Sequence, residues 1–244
     1  MKRKGYITLV IIIGLVLIIL LSMFFFFRNR KQTNIIKDDG ITNSQITPLV
    51  SFIEQCLKTT SYDAIKSLGS QGRLYSNYYL KSQTDKIAYF YYKGDGFFPT
   101  KIGVVEEEVS RYVKENIGAC LDYSSFAYDI RDEKGKMKLT TGFNSDNMEV
   151  LLNYPVYVKI GNKEVLLSEF RASTKVRFIP IYELSKEIYI KTKDNPDWID
   201  IEFLSSQPYK IKLVRVSDDT LIYEITDNRD GLEREDFVYR FAVK

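Results

Sequence analysis

Histidine occurs nowhere in these 244 residues. Its absence removes the commonest general base near neutral pH. It also removes every Ser-His-Asp or Cys-His arrangement and zinc held by imidazole. Cysteine occurs twice, at Cys56 and Cys120, so a four-thiolate site within one chain is excluded as well. The spacing Ser-x-x-Lys, which serves one class of histidine-free serine nucleophile, is missing too. Internal repeats and low-complexity tracts are absent, which argues against a solenoid. Nothing in the chain nominates a catalytic, cofactor-binding or metal-ligating residue, and no cofactor is expected.

What is present is an ordinary globular composition, 45% hydrophobic and 27% charged, with a net charge of +3. That charge is unevenly placed. Residues 1–37 hold seven basic side chains and no acid, which leaves the remainder at −4. Nucleic-acid binding draws on a basic surface that neutralises phosphates. The basic residues here flank an apolar run instead, and nucleic acid is not an expected partner.

The run itself, "ITLVIIIGLVLIILLSMFFFF", extends from Ile7 to Phe27 without a charge. Its 21 residues would span about 32 Å as a helix, enough for a bilayer core. It ends in four phenylalanines and "RNRK" rather than in small residues at a cleavage site, so it reads as a retained signal anchor. Lys2, Arg3 and Lys4 before the run nearly balance Arg28, Arg30 and Lys31 after it. An inside amino terminus with an extracytoplasmic domain is the favoured orientation. A basic stretch ending in Gly5 before the run is also similar to the leader of type IV pilins. Val10 stands where those leaders usually place a glutamate.

The expected organisation is a basic flank over 1–6, a transmembrane anchor over 7–27, a polar linker over 28–46 and an extracytoplasmic α+β domain over 47–244. Thr47 and Pro48 read as the N-cap and first position of a helix. Leu49, Ile53, Cys56, Leu57, Thr60, Ala64 and Leu68 form its apolar stripe, and Gly69 is the expected left-handed stop. A second helix from near Thr100 aligns Ile102, Val105, Val109, Tyr112, Val113, Ile117 and Cys120. Glu106, Glu107 and Glu108 fall in its early turns, where the helix dipole favours acids. Beyond Asp122 the period becomes two. In "NMEVLLNYPVYVKI" Met148, Val150, Leu152, Tyr154, Val156, Val158 and Ile160 face one way. In "FRASTKVRF" Phe170, Ala172, Thr174, Val176 and Phe178 alternate with Arg171, Ser173, Lys175 and Arg177. Such alternation predicts half-buried strands of a mostly antiparallel sheet. "PIYELSKEIYIKT" and "DWIDIEFLSSQ" read as helices that pack on it.

Two readings of the cysteines stand side by side. They are independent small core residues, or they form a Cys56–Cys120 disulfide between the two helices. An exported location and an even count favour the bridge. It would close a loop of about 65 residues, worth roughly 4 kcal/mol by chain entropy. A cytoplasmic location would reverse that preference. Neither position reads as exposed.

The succession of "CL", "LGSQG", "FPT" before an acidic helix, "NIGACL", "NYPVYVKIG", "LSEFRAS", "IYEITD" and "YRFAVK" resembles uncharacterised single-pass membrane-anchored proteins of small-genome archaea. The resemblance implies a "KG" leader, one span and an exported domain; it supplies no reaction. Arg73 departs from it, standing where a second glycine is expected after "QG".

Two further stretches invite chemistry. "TDNRDGLERED" is the densest acidic segment, but as a calcium loop it would place Thr226 and Phe237 where carboxylates are required. A solvated hairpin loop is the expectation. "AYFYYKGDGFFP" can supply a sugar-stacking or membrane-interface surface, and reads first as strand core. The chain as a whole reads as a binding or structural protein of the cell envelope. Its partners would be the bilayer through residues 7–27, and an envelope protein or a second copy. The alternatives are a pilin-like subunit processed after Gly5 and an exported histidine-independent hydrolase.

Overall fold

The computed structural model describes residues 43–81, 86–233 and 235–244. The expected span at 7–27, its flanks and the Gly5 cleavage reading lie outside the described residues. Among those described, no helix is long and apolar enough to cross a membrane.

The first helix, α1 (Asn43–Gln71), starts ahead of the expected Thr47 and carries Pro48 inside it. Ile46 is buried along with Leu49, Ile53, Leu57, Ala64, Ile65 and Leu68, so the apolar stripe begins one turn earlier than expected. A proline there removes one hydrogen bond near the helix end, where the loss is tolerable. The expected stop at Gly69 is also displaced. Gly72 ends the helix at φ +75°, its N–H donating to the Leu68 carbonyl over 2.8 Å.

Gly69 has a different task. A Cβ at that position would lie 2.5 Å from the Val238 carbonyl oxygen and 2.8 Å from the Phe237 ring. The helix therefore meets a strand at a point where only glycine leaves room. Three residues on, a Cβ at Gly72 would lie 2.4 Å from the Arg240 carbonyl oxygen.

Two short strands, β1 (Tyr79–Lys81) and β2 (Lys86–Tyr92), and the two-residue β3 (Asp95–Gly96) lead to the second helix, α2 (Ile102–Asn116). Val105, Val109, Val113 and Ile117 form its buried stripe. A 3-10 turn over Ile117–Ala119 then tightens the chain. Cys120 lies past the end of α2, as the residue that caps this turn, and so leaves the helical stripe. It is exposed, not buried as the spacing predicts, while Cys56 is buried. The two sulfurs nevertheless lie at disulfide distance, with Cα atoms 5.7 Å apart.

The remaining chain builds two sheets. In one, β6 (Asn147–Ile160) is flanked by β7 (Lys163–Lys175) and, in succession along its length, by β5 (Lys138–Phe143) and β4 (Asp129–Asp132), all antiparallel. The register slips between Asn153 and Val156, yet Met148 to Val158 stay in phase and buried. The other sheet has the order β1-β2-β10-β9-β8, with β3 on β2. Here β8 (Lys210–Ser217), β9 (Thr220–Leu232) and β10 (Glu235–Val243) form an antiparallel meander. β10 then lies parallel to β2, opposing Ala242 to Tyr89. A bridge between Val176 and Leu232 joins the two sheets.

Helices α3 (Phe178–Asp194) and α4 (Ile201–Ser206) complete an α+β fold. Ile181, Leu184 and Ile188 of α3 are buried, and the helix takes in Phe178, which the alternation places at the end of a strand; its ring is buried in the helix instead. Asp200 caps α4, its carboxylate accepting from the Phe203 N–H over 2.9 Å. α1 packs on both β7 and β10 and so holds the sheets under one helix. The core between these layers is aromatic: Phe90 and Tyr223 stack on Phe241, with centroids 4.5 and 5.2 Å away.

Gly69→Ala should lower unfolding stability by about 1–3 kcal/mol, as expected when a side chain is forced into packed backbone. Gly118→Ala, where an added Cβ meets nothing within 4 Å, should stay within about 0.5 kcal/mol. Equal midpoints for the two variants in urea would refute the tight approach.

Candidate functional site

The residues of β5, β6 and β7 that turn away from the core make a small grid. Cross-strand pairing sets Thr140, Leu151 and Arg171 in one row, and Gly142, Glu149 and Ser173 in the next. A cavity of about 500 Å3 opens over these rows, with Asn144 at its margin. The space beside Gly142 is open, since a Cβ there would meet no atom within 4 Å. Its volume suits a small ligand.

Polar groups in the cavity are held in place. Asn147 donates to the Ser173 hydroxyl over 3.0 Å and to Glu149 over 3.4 Å. Arg171 donates twice to one oxygen of Glu169, at 3.1 and 2.6 Å. Half-buried Leu151 supplies an apolar floor. A guanidinium, a carboxylate, hydroxyls and an apolar patch side by side can hold a polar ligand. The Ser173 hydroxyl is engaged by an amide rather than by a base, so the arrangement supports binding rather than nucleophilic chemistry.

The stretches singled out in the sequence lie elsewhere. "TDNRDGLERED" is not a solvated loop along its first half: Thr226 and Asp227 belong to β9, and Asp227 is 1% exposed. The Asp227 carboxylate is bonded to Arg177 and accepts from the Arg229 N–H over 3.2 Å. Bound in this way it serves the junction of the two sheets. Among the described residues no group of three or more Cys, Asp or Glu could hold a metal ion. In "AYFYYKGDGFFP", Tyr89, Phe90, Tyr91 and Phe98 are core, as expected from the strand pattern. Tyr92 and Phe97 are half-buried, and Phe97 stacks on exposed Tyr78 with centroids 4.2 Å apart.

Sequence reasoning missed a buried carboxylate with several partners. Glu106 and Glu108 are not dipole acids, since the first turn of α2 contains no acid. Glu106 accepts from the Phe143 N–H of β5 over 3.0 Å. Glu108 is buried and pairs with Arg73, which also donates to the Phe97 carbonyl over 3.2 Å. The second Glu108 oxygen accepts from the Leu74 N–H over 3.0 Å and the Tyr75 N–H over 3.4 Å. Arg73, the residue that broke the glycine pattern, thus fixes the loop after α1. A lone arginine in a polar loop gives no sequence signal for a partner 35 residues away.

Burial raises several tyrosine hydroxyls. It pushes Tyr75 up to about 12, with a bond to Glu115 adding to the effect, and it also pushes Tyr123 up to about 12. Tyr154 is raised as well, by burial first and then by its bond to Asp132.

These features define an α+β domain with two cysteines at disulfide distance and a polar cavity on an open sheet face. No protein family, curated protein or solved structure matches the chain.

Glu108→Gln should cost about 3 kcal/mol, because it leaves a buried guanidinium without its counter-charge. Glu107→Gln, at an exposed position of the same helix, should cost under about 0.5 kcal/mol. Denaturant unfolding of both variants checks this, and equal midpoints would remove the structural role assigned to Glu108.

The tyrosines give a pH dependence of definite sign. Their folded pKa values exceed the unfolded value near 10, so the stabilisation is complete below about pH 10 and is lost as the pH rises towards about 12. An ultraviolet titration should show a class of phenols ionising only in that upper range, together with unfolding. Ionisation of every tyrosine near pH 10 while the protein stays folded would contradict it.

Proposed function

We propose that this chain is a single-pass membrane-anchored protein whose α+β domain faces the extracytoplasmic side and acts there by binding, as a component of the cell envelope. The observation that carries this reading is the Cys56–Cys120 pair at disulfide distance. A bridge with one cysteine exposed at the surface is at home in an oxidising compartment, whereas cytosolic thiols would reduce it. The uncharged run from Ile7 to Phe27 supports an anchor in lipid. The cavity over Leu151, with its opposed charges and hydroxyls, supports binding of a polar ligand.

Thiol labelling tests the placement. In intact cells, and in lysates denatured without reductant, neither cysteine should react with a maleimide; after reduction under denaturing conditions both should. The chain should also remain with the membrane fraction through an alkaline carbonate wash. Two labelled cysteines in unreduced, denatured material, or release by carbonate, would sink the proposal.

A further inference from the structure

We infer that β8 is a docking edge for an extended, acidic segment of another protein, which joins the sheet as an added strand. This goes beyond the binding reading above, since it rests on neither the cavity nor the compartment.

β8 is the last strand of the β1-β2-β10-β9-β8 sheet, paired on one side only, with β9. Along an antiparallel edge, every second residue turns its N–H and C=O away from the neighbouring strand. For β8 those outward groups have no hydrogen-bond partner among the described residues. An eight-residue edge in this condition is a template for a further strand.

Its side chains specify what can be added. Lys210 and Lys212 are exposed on the sheet face turned from the core, and Arg215 is exposed near the strand's end. Ile211 and Leu213 face the other way, opposite the buried Ile225 and Tyr223, and are themselves only half covered. β8 contains no acid. Glu224, beside Lys212, is already shared with Arg240 over 2.9 Å, and Asp219, in the following turn, with Lys244 over 3.1 Å. Lys212 therefore faces outward with its cross-strand carboxylate, Glu224, engaged elsewhere.

A strand added here would set its alternate residues beside Lys210 and Lys212, and the residues between them beside Ile211 and Leu213. The matching segment alternates acidic and apolar residues. Two other occupants are disfavoured by charge. A second copy pairing through its own β8 would bring lysine and arginine against lysine and arginine. The stretch 28–42 of this chain carries four basic and two acidic residues. Basic residues also guard an edge against unselected strands; here they leave it open to an acidic one.

The test uses the full chain in uncharged detergent micelles and three capped seven-residue peptides. One alternates glutamate and valine, one alternates lysine and valine, and the third is the acidic peptide N-methylated at alternate residues. Amide hydrogen exchange over 210–217 is the readout. The acidic peptide should slow exchange there, the lysine peptide should not, and N-methylation should abolish the effect. Lys210→Glu with Lys212→Glu should weaken the acidic peptide by about tenfold or more. The inference is overturned by equal protection from acidic and basic peptides, by undiminished binding of the N-methylated peptide, or by no protection over 210–217. The peptide arms use unsubstituted protein, so they decide the matter even where the double variant folds poorly.

Discussion

The close approach of α1 to β10 is the constraint on which the rest of the structure depends. At Gly69 the helix comes so near the strand that the Val238 carbonyl and the Phe237 ring occupy the space a side chain would need. Gly72 then reverses the chain, and its carbonyl accepts from the buried Tyr239 hydroxyl over 2.8 Å. The turn delivers Arg73 to Glu108 on α2. One glycine-lined contact therefore sets α1 on the sheet, ends the helix and positions the ion pair that holds the next loop. The Cys56–Cys120 pair, at disulfide distance, sets the middle of α1 against the turn that follows α2.

The charged groups divide by task according to burial. Glu108 and Asp227 sit where bulk water cannot solvate them, and each is matched by an arginine and by backbone N–H groups. Those on β8 and on the outer face of β5, β6 and β7 remain in water, where their net contribution to stability is small. The surface charges are thus free to serve recognition, and two places that carry them are the cavity over β5, β6 and β7 and the β8 edge. Both lie on sheet surfaces that the helices leave uncovered, because the helices pack on the inner faces.

The strand patterns were legible because a half-buried sheet forces polarity to alternate. Met148 to Val158 read correctly through a register slip, since the slip kept the same side chains facing inward. The aromatic stretch read correctly as core for Tyr89, Phe90, Tyr91 and Phe98. Helix ends were less legible. Pro48 looked like a start and Gly69 like a stop, yet Ile46 was worth burying and β10 required the glycine for clearance. Of the candidate site almost nothing was visible in advance. Arg171 and Ser173 appeared only as the wet side of a strand, and the notch at Gly142 exists only once β5 is beside β6.

By itself the sequence determined the absence of histidine chemistry, the alternation that makes strands and the apolar stripes that make helices. All of these depend on residue type and local period alone. Tertiary structure decided that Cys120 comes to the surface yet meets Cys56, that Arg73 finds Glu108, and that Asp227 is sealed beneath Arg177. It also decided that β8 is an edge. These outcomes depend on which distant segments become neighbours, and local periodicity carries no information about that choice.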